Sequence, residues 1–257
     1  MRKIAMIVTD LDDTLLRSDK TISDAAVVVL QRCQSAGIKV AFATARSTQA
    51  AAASMARFAP DVFIGYGGAL IKAGNETIHR CEIPADVADR LIQTCLRTPG
   101  ITGVHAINES IALTNGVGVD MMTMSHYTLT DFAGDYGNSY MKISVTSDDP
   151  AAVERIAAQF PMCDMLRYSG ENLYRFANRH ALKWNAVQIA AAHFGMATDA
   201  MAAFGDDVND VEMIARCGIG VAVANAVAQV KAVAAHHCAS NDEDGVARWI
   251  EEHVLGR

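Results

Sequence analysis

The chain has 257 residues, of which 51% are hydrophobic, with only five prolines and a formal net charge of −7. That apolar content is enough for a packed core and excludes a disordered or low-complexity chain. The acidic balance argues against sequence-independent nucleic-acid binding, and the absence of a long apolar run predicts neither a signal peptide nor a membrane partner.

Met1, Arg2 and Lys3 lead into residues 4–9, Ile-Ala-Met-Ile-Val-Thr, which read as a strand buried on both faces, as in a parallel sheet. Three carboxylates, Asp10, Asp12 and Asp13, follow within four positions, at the strand end where such sheets bind ligands. Unit charges ~4 Å apart repel by about 4 kcal/mol at an effective dielectric of ~20, so these acids either face water or surround a cation. Helical spacing of Ala26, Val29, Leu30 and Cys33 predicts a helix over 25–36, ended by Gly37. A second buried strand over 38–43 is tipped by Thr44, Ala45, Arg46 and Ser47. An Ala-rich helix over 49–58 breaks at Pro60-Asp61, and a third strand over 62–66 runs into Gly67-Gly68. Residues 69–72 and 77–81 flank Ala73-Gly74-Asn75-Glu76 as a hairpin.

From residue 83 to 180 the texture changes. Amphipathic helices are predicted over 85–97 and 151–160, with short strands over 102–106, 110–114, 140–146, 165–168 and 172–176. The α/β alternation then resumes. A helix over 181–194 is closed by Gly195, and a strand over 201–204 is tipped by Gly205-Asp206-Asp207-Val208-Asn209-Asp210. Further helices over 211–216, 227–235 and 245–254 alternate with strands over 219–223 and 236–239. The expected fold is α/β, with a doubly wound parallel Rossmann-like sheet from residues 1–82 and 181–257 and an inserted α+β domain over 83–180. Six scattered cysteines, without a Cys-x-x-Cys pair or zinc-ligand spacing, read as reduced core residues of a cytoplasmic protein.

A parallel sheet puts both acid clusters, Asp10-Asp12-Asp13 and Asp206-Asp207-Asp210, on one rim. Helix capping explains Asp207 or Asp210 singly. It does not offset the repulsion of two clusters together, whereas a hard divalent cation such as Mg²⁺ does, through oxygen ligands that leave positions for water and phosphate.

Asp10-Leu11-Asp12-Asp13-Thr14 resembles the D-x-D-x-T signature of the haloacid dehalogenase superfamily, and Gly205-Asp206-Asp207-Val208-Asn209-Asp210 resembles its G-D-x-x-N-D motif. Thr44 and Lys183 stand where its second and third motifs fall, and the insertion is similar to the type IIB cap of the Cof-like phosphatases. The resemblance implies a Mg²⁺-dependent phosphatase of small phosphorylated metabolites, of sugar phosphate, nucleotide or cofactor phosphate type. Asp10 would be the nucleophile that forms an aspartyl-phosphate, and Asp12 the general acid/base. The Asp10 carboxylate, the Asp12 main-chain carbonyl and Asp206 would hold the metal, with Asp210 orienting its waters. Thr44, Ala45, Arg46, Lys183 and Asn209 would contact the phosphoryl group. The insertion would cap the site and select the substrate, with His126, Lys142, Arg167, Tyr168 and Arg175 as candidate readers; each is more simply an ordinary surface or cap-core residue.

Departures from the pattern are Asp13 and Ala45, where Gly is usual, Gly67 for Asn, and Leu182 and Trp184 for Ser and Gly. Simpler roles also exist: Thr44 or the better placed Ser47 as a helix cap, Lys183 as a solvated lysine, and Asn225 as either the family's Asn-Ala element or an N-cap. The alternatives are a phosphotransferase or phosphomutase on the same core, and a receiver-like module. Receivers are shorter and lack the second acid, so Asp12 and the insertion argue against that last reading.

Overall fold

The computed structural model describes residues 4–118, 127–134, 136–168 and 171–256, and His126 lies outside them. In chain order, β1 (Met6–Thr9), α1 (Asp24–Ser35), β2 (Lys39–Ala43), α2 (Ala52–Arg57) and β3 (Val62–Gly65) are followed by the hairpin β4 (Leu70–Ala73) and β5 (Glu76–Arg80). Next come α3 (Ala85–Arg97), β6 (Ile101–Ile107), β7 (Ala112–Thr114), β8 (Thr128–Leu129), β9 (Lys142–Ser147), α4 (Pro150–Ala157), β10 (Cys163–Arg167) and β11 (Leu173–Asn178). The chain ends with α5 (Lys183–His193), β12 (Met201–Gly205), α6 (Val211–Arg216), β13 (Ile219–Ala222), α7 (Ala228–Val233), β14 (His236–His237) and α8 (Gly245–Ile250). It divides into two compact units, Met1–Arg80 with Leu182–Arg257, and Cys81–Ala181.

The first unit is built on one sheet in the order β14-β13-β12-β1-β2-β3-β4-β5. It is parallel from β14 to β3, and β4 and β5 add an antiparallel edge. Every residue of β1 is buried, which is why the strand carries no polar alternation. A fully buried Val, Ile or Phe, such as Val8, Ile7 and Phe204, contributes about 1.5–3 kcal/mol. From β1 the chain winds outward to β2 and β3, whereas β12, on the other side of β1, leads outward to β13 and β14. The order therefore reverses between β1 and β12, where open α/β sheets bind ligands beyond the strand tips.

Around this sheet local chemistry sets the helix ends. Ser23 Oγ accepts from the Ala26 N–H at 3.0 Å and caps α1, whose buried face is Ala26, Val27, Val29, Leu30 and Cys33. The helix expected over 49–58 is shorter, because residues 48–51 form a turn in which Ser47 Oγ accepts from the Ala50 N–H at 3.1 Å. The last helix closes at Ile250 and continues only as a wider turn, Glu251–Leu255.

The second unit is a sheet in the order β10-β11-β9-β6-β7-β8, antiparallel except between β7 and β8. Val87, Leu91, Ile92 and Cys95 of α3, with Val153 and Ile156 of α4, pack on one sheet face carrying Val104, Ile143, Val145 and Phe176. Asp149 caps α4, accepting from the Ala152 N–H at 3.1 Å, and Pro150 fills its first turn without losing a hydrogen bond. β8 was not foreseen, since its two exposed residues show no alternation. Among the described residues no helix is long and apolar enough to cross a membrane.

Candidate active site

Thr9 pairs with Phe204, and the Asp10 N–H donates to Phe204 O at 3.0 Å, so the tips of β1 and β12 leave the sheet together. Asp10, Asp206 and Asp210 each offer a carboxylate oxygen within 4.8 Å of the others. Lys183, the first residue of α5, places Nζ 2.9 Å from Asp10 Oδ1 and 2.7 Å from Asp210 Oδ1. The lysine side chain is 1% exposed, so it is a buried counter-ion and not a solvated surface lysine. Its seat is made by close backbone packing: Gly68, at φ +111°, lies so near Leu182 that a Cβ would fall 2.5 Å from the Leu182 carbonyl.

Three carboxylates against one ammonium leave two negative charges in excess. Burial, together with the Asp210 and Asp206 charges, pushes the Asp10 carboxyl well above its usual range, against the opposing pull of Lys183. Burial and the neighbouring acids likewise push Asp206 up to about 7, although Thr14 opposes this. Burial alone would depress the Lys183 ammonium, but the Asp10 and Asp210 charges outweigh it and hold it above its ordinary value. This cluster is short of positive charge and offers only oxygen donors, and that combination fits a hard divalent cation.

Further contacts fix the acids. Thr14 Oγ1 donates to Asp206 Oδ1 at 2.6 Å, across 192 residues of chain. Asp210 Oδ2 accepts from the N–H groups of Asp206 at 3.1 Å and Asp207 at 3.3 Å, while the Asp207 side chain accepts from the Asp210 N–H. The capping explanation for Asp207 and Asp210 thus holds alongside the clustering. Gly205 permits this turn, since a Cβ there would lie 2.5 Å from Asp210 Cβ.

The three N-terminal acids separate into three environments. Asp10 is buried; Asp12 is gripped by Arg46, with Nε at 2.8 Å from Oδ2 and Nη2 at 2.6 Å from Oδ1. Burial would raise the Asp12 carboxyl, but the Arg46 hydrogen bonds and charge, with Lys20, hold it below its ordinary value. Asp13 adopts φ +54°, the left-handed conformation that explains why Gly is usual at this position and that Asp tolerates. Its side chain turns outward to Lys20 Nζ at 3.0 Å.

Thr44 is fully buried at the tip of β2, where Oγ1 accepts from the Arg46 N–H at 3.1 Å, and Ala45 is half-buried in the same loop. Asn209 sits in the short turn Val208–Asp210, with its buried Oδ1 lacking a hydrogen-bond partner among the described residues. Asn225 caps no helix: its Nδ2 donates to Asp13 O at 2.6 Å and its Oδ1 accepts from the Asn241 N–H at 3.1 Å, clamping the turn after β1. Trp184 is buried in α5, with the Arg216 guanidinium 5.8 Å from its ring centre. Sequence reasoning missed the Thr14–Asp206 and Arg46–Asp12 pairings; only the T of the first motif hinted at the former.

The model of the haloacid dehalogenase-like hydrolases matches residues 7–250. An HMP-PP phosphatase of Enterobacter sp. is 27% identical over 263 residues, covering 96% of each chain. A 5-amino-6-(5-phospho-D-ribitylamino)uracil phosphatase of Bacillus subtilis is 25% identical over 263 residues, covering 96% of this chain and 97% of its own. Among solved structures, a haloacid dehalogenase-like hydrolase from Bacteroides thetaiotaomicron superposes with a TM-score of 0.84 at 25% identity, covering 97% of this chain and 99% of its own.

Proposed function

Because the chain belongs to the haloacid dehalogenase-like hydrolases, we propose that it hydrolyses phosphate monoesters of small metabolites through an aspartyl-phosphate on Asp10. One observation carries this reading: a buried lysine bridges Asp10 and Asp210 inside a cluster of three carboxylates. In the first step an Asp10 carboxylate oxygen attacks phosphorus while the bond from phosphorus to the leaving oxygen breaks. Asp12, once it has left Arg46 and taken up a proton from solvent, gives that proton to the leaving oxygen, and the alcohol departs. A water then attacks phosphorus and passes its proton to Asp12. The bond from phosphorus to Asp10 breaks, and inorganic phosphate leaves with the carboxylate restored.

Lys183 opposes the protonation of Asp10 and offsets phosphoryl charge, Thr44 donates its hydroxyl to a phosphoryl oxygen, and Arg46, Ala45 and Asn209 line the phosphoryl site. Mg²⁺ would be held by Asp10, the Asp12 main-chain carbonyl and Asp206, with Asp210 beside it, and when bound supplies charge neutralisation at the phosphoryl oxygens. Residues 83–180 select the substrate. The six free cysteines fit a cytoplasmic location.

The test is phosphate release from a panel of phosphorylated metabolites, with Mg²⁺ or with chelator, beside the Asp10→Asn variant. Chelation and Asp10→Asn should each lower release by ~10⁴-fold or more. Undiminished turnover in the variant would falsify the nucleophile assignment.

A further inference from the structure

Residues 66–69 form the turn between β3 and β4. Three successive residues there hold positive φ: Tyr66 at +53°, Gly67 at +71° and Gly68 at +111°. Glycine adopts this region freely, whereas in a tyrosine it crowds Cβ against the following carbonyl oxygen. Such a conformation persists only where the surroundings over-determine it. Tyr66 is fully buried, and its Oη donates to Gln49 Oε1 at 3.3 Å. A hairpin needs only Gly or Asn at its positive-φ positions. A buried tyrosine there is an anchor that the connection between β3 and β4 does not itself require.

What the anchor holds is main chain. The Tyr66 N–H donates to Arg46 O at 2.9 Å, and the Gly67 N–H donates to Thr44 O at 2.9 Å. The Thr44 N–H donates in turn to Ile64 O at 2.8 Å, so the end of β3 and the turn after it hold both ends of the loop over 44–46. Within that loop the Arg46 N–H donates to Thr44 Oγ1 at 3.1 Å, so fixing the two carbonyls also fixes the Thr44 hydroxyl. Tyr66 φ and ψ orient the peptide that carries the Gly67 N–H, and a return to negative φ would swing that donor away from Thr44. The next residue, Gly68, packs on the Leu182 backbone, and Lys183 follows directly. One short turn thus touches two site segments that lie far apart in the chain.

We propose that Tyr66 is a positioning residue, whose buried ring pins the left-handed turn that sets Thr44 and Arg46 for the phosphoryl group. The step rests on the phosphatase reading for what Thr44 and Arg46 contact. Tyr66 itself touches no substrate; it acts through the loop over 44–46.

The experiment compares the full-length wild type with Tyr66→Phe, Tyr66→Gly, Thr44→Ala and the double variant Tyr66→Gly/Thr44→Ala. Two quantities are read with MgCl₂, at a temperature where circular dichroism shows every protein folded: kcat/KM for p-nitrophenyl phosphate, and the Kd of inorganic phosphate by titration calorimetry. Tyr66→Phe keeps the ring and should stay within about twofold of wild type in both. Tyr66→Gly accepts positive φ but has no ring to hold it there. It should lower kcat/KM by about tenfold or more and weaken phosphate binding by at least about threefold. In the Thr44→Ala background the same substitution should lower kcat/KM by about threefold or less, because its effect runs through a contact already lost. If Tyr66→Gly does not fold, Tyr66→Leu, which keeps apolar bulk without the ring, replaces it in the same cycle, with a loss of at least about threefold that Thr44→Ala abolishes. A merely structural tyrosine would lower Tm and leave both quantities unchanged; that result, or an equal loss with and without Thr44, overturns the proposal and spares the phosphatase reading. A wild type that binds phosphate but releases none from any ester sinks the phosphatase reading, and the phosphate Kd values then decide the role of Tyr66 by the same cycle. With neither turnover nor phosphate binding, both fall.

Discussion

Replacing Lys183 by Met removes the one cation buried among three carboxylates and leaves a side chain of similar length. In the native protein Nζ lies 2.9 Å from Asp10 and 2.7 Å from Asp210, with the lysine 1% and Asp210 0% exposed. At an effective dielectric of ~20, unit charges ~2.8 Å apart attract by about 6 kcal/mol, so two contacts give about 12 kcal/mol before desolvation. Desolvating the ions costs several kcal/mol each, and measured losses on breaking one partner of a buried pair are about 3–5 kcal/mol. For a domain of this size that corresponds to a fall in Tm of roughly 6–20 °C. Urea and thermal unfolding of the metal-free protein, followed by circular dichroism, measure it. The double variant with Asp210→Asn, which removes one uncompensated carboxylate, should be less destabilised than the sum of the singles by at least ~1 kcal/mol. Additive effects, or a Tm within ~2 °C of wild type for Lys183→Met, would refute the counter-ion argument.

Three further outcomes follow from the same cluster. Asp206, pushed up to about 7, holds a proton in the folded metal-free protein over a range where the unfolded chain has released it. The Asp206 contribution to the stability of the chelated protein should therefore fall as pH rises from about 4 to about 7, by at most about 4 kcal/mol for a shift of ~3 units. On the proposed metal reading, MgCl₂ should bind the ionised carboxylates and stabilise more at about pH 8 than at about pH 5 in urea melts; equal stabilisation would contradict it. Gly205→Ala places a Cβ 2.5 Å from Asp210 Cβ, so it should cost about 2 kcal/mol or more and weaken Mg²⁺ binding seen as a smaller metal-dependent rise in Tm. A wild-type Tm with and without metal would count against Asp210 being held by that close approach.

The α/β class was legible because buried parallel strands announce themselves as short apolar runs, and β1, β2, β3 and β12 all do so. That Asp10, Asp206 and Asp210 would lie together followed from strand tips sharing one rim, whereas Lys183 was placed beside them only by the family's motif order. What linked Thr14 to Asp206, Arg46 to Asp12 and Asn225 to Asp13 was invisible, because these contacts join residues 192, 34 and 212 apart and leave no local period. The sequence left Asp13 unplaced, as a third acid beside the site that either points away or touches the metal's waters. Its explanation is a backbone angle, φ +54°, with the carboxylate directed outward to Lys20. The two-residue β8 had no signal at all, being exposed and too short to alternate.

The adjacency of β1 and β12 also orders events during synthesis. Met6 pairs with Met201, so β1 must wait for a partner made only after the whole insertion. At ~5–20 residues per second that interval is roughly 10–40 s. Throughout it one edge of a mostly apolar strand has no hydrogen-bonding neighbour, the state in which strands pair with other chains. The inserted sheet, whose strands pair only with one another, can close earlier. On the ribosome the chain therefore holds a completed insertion and five of the eight strands of the larger sheet. Asp10 remains apart from Asp206 and Asp210 until β12 and the turn after it emerge, so the reactive centre assembles only after the insertion has been made.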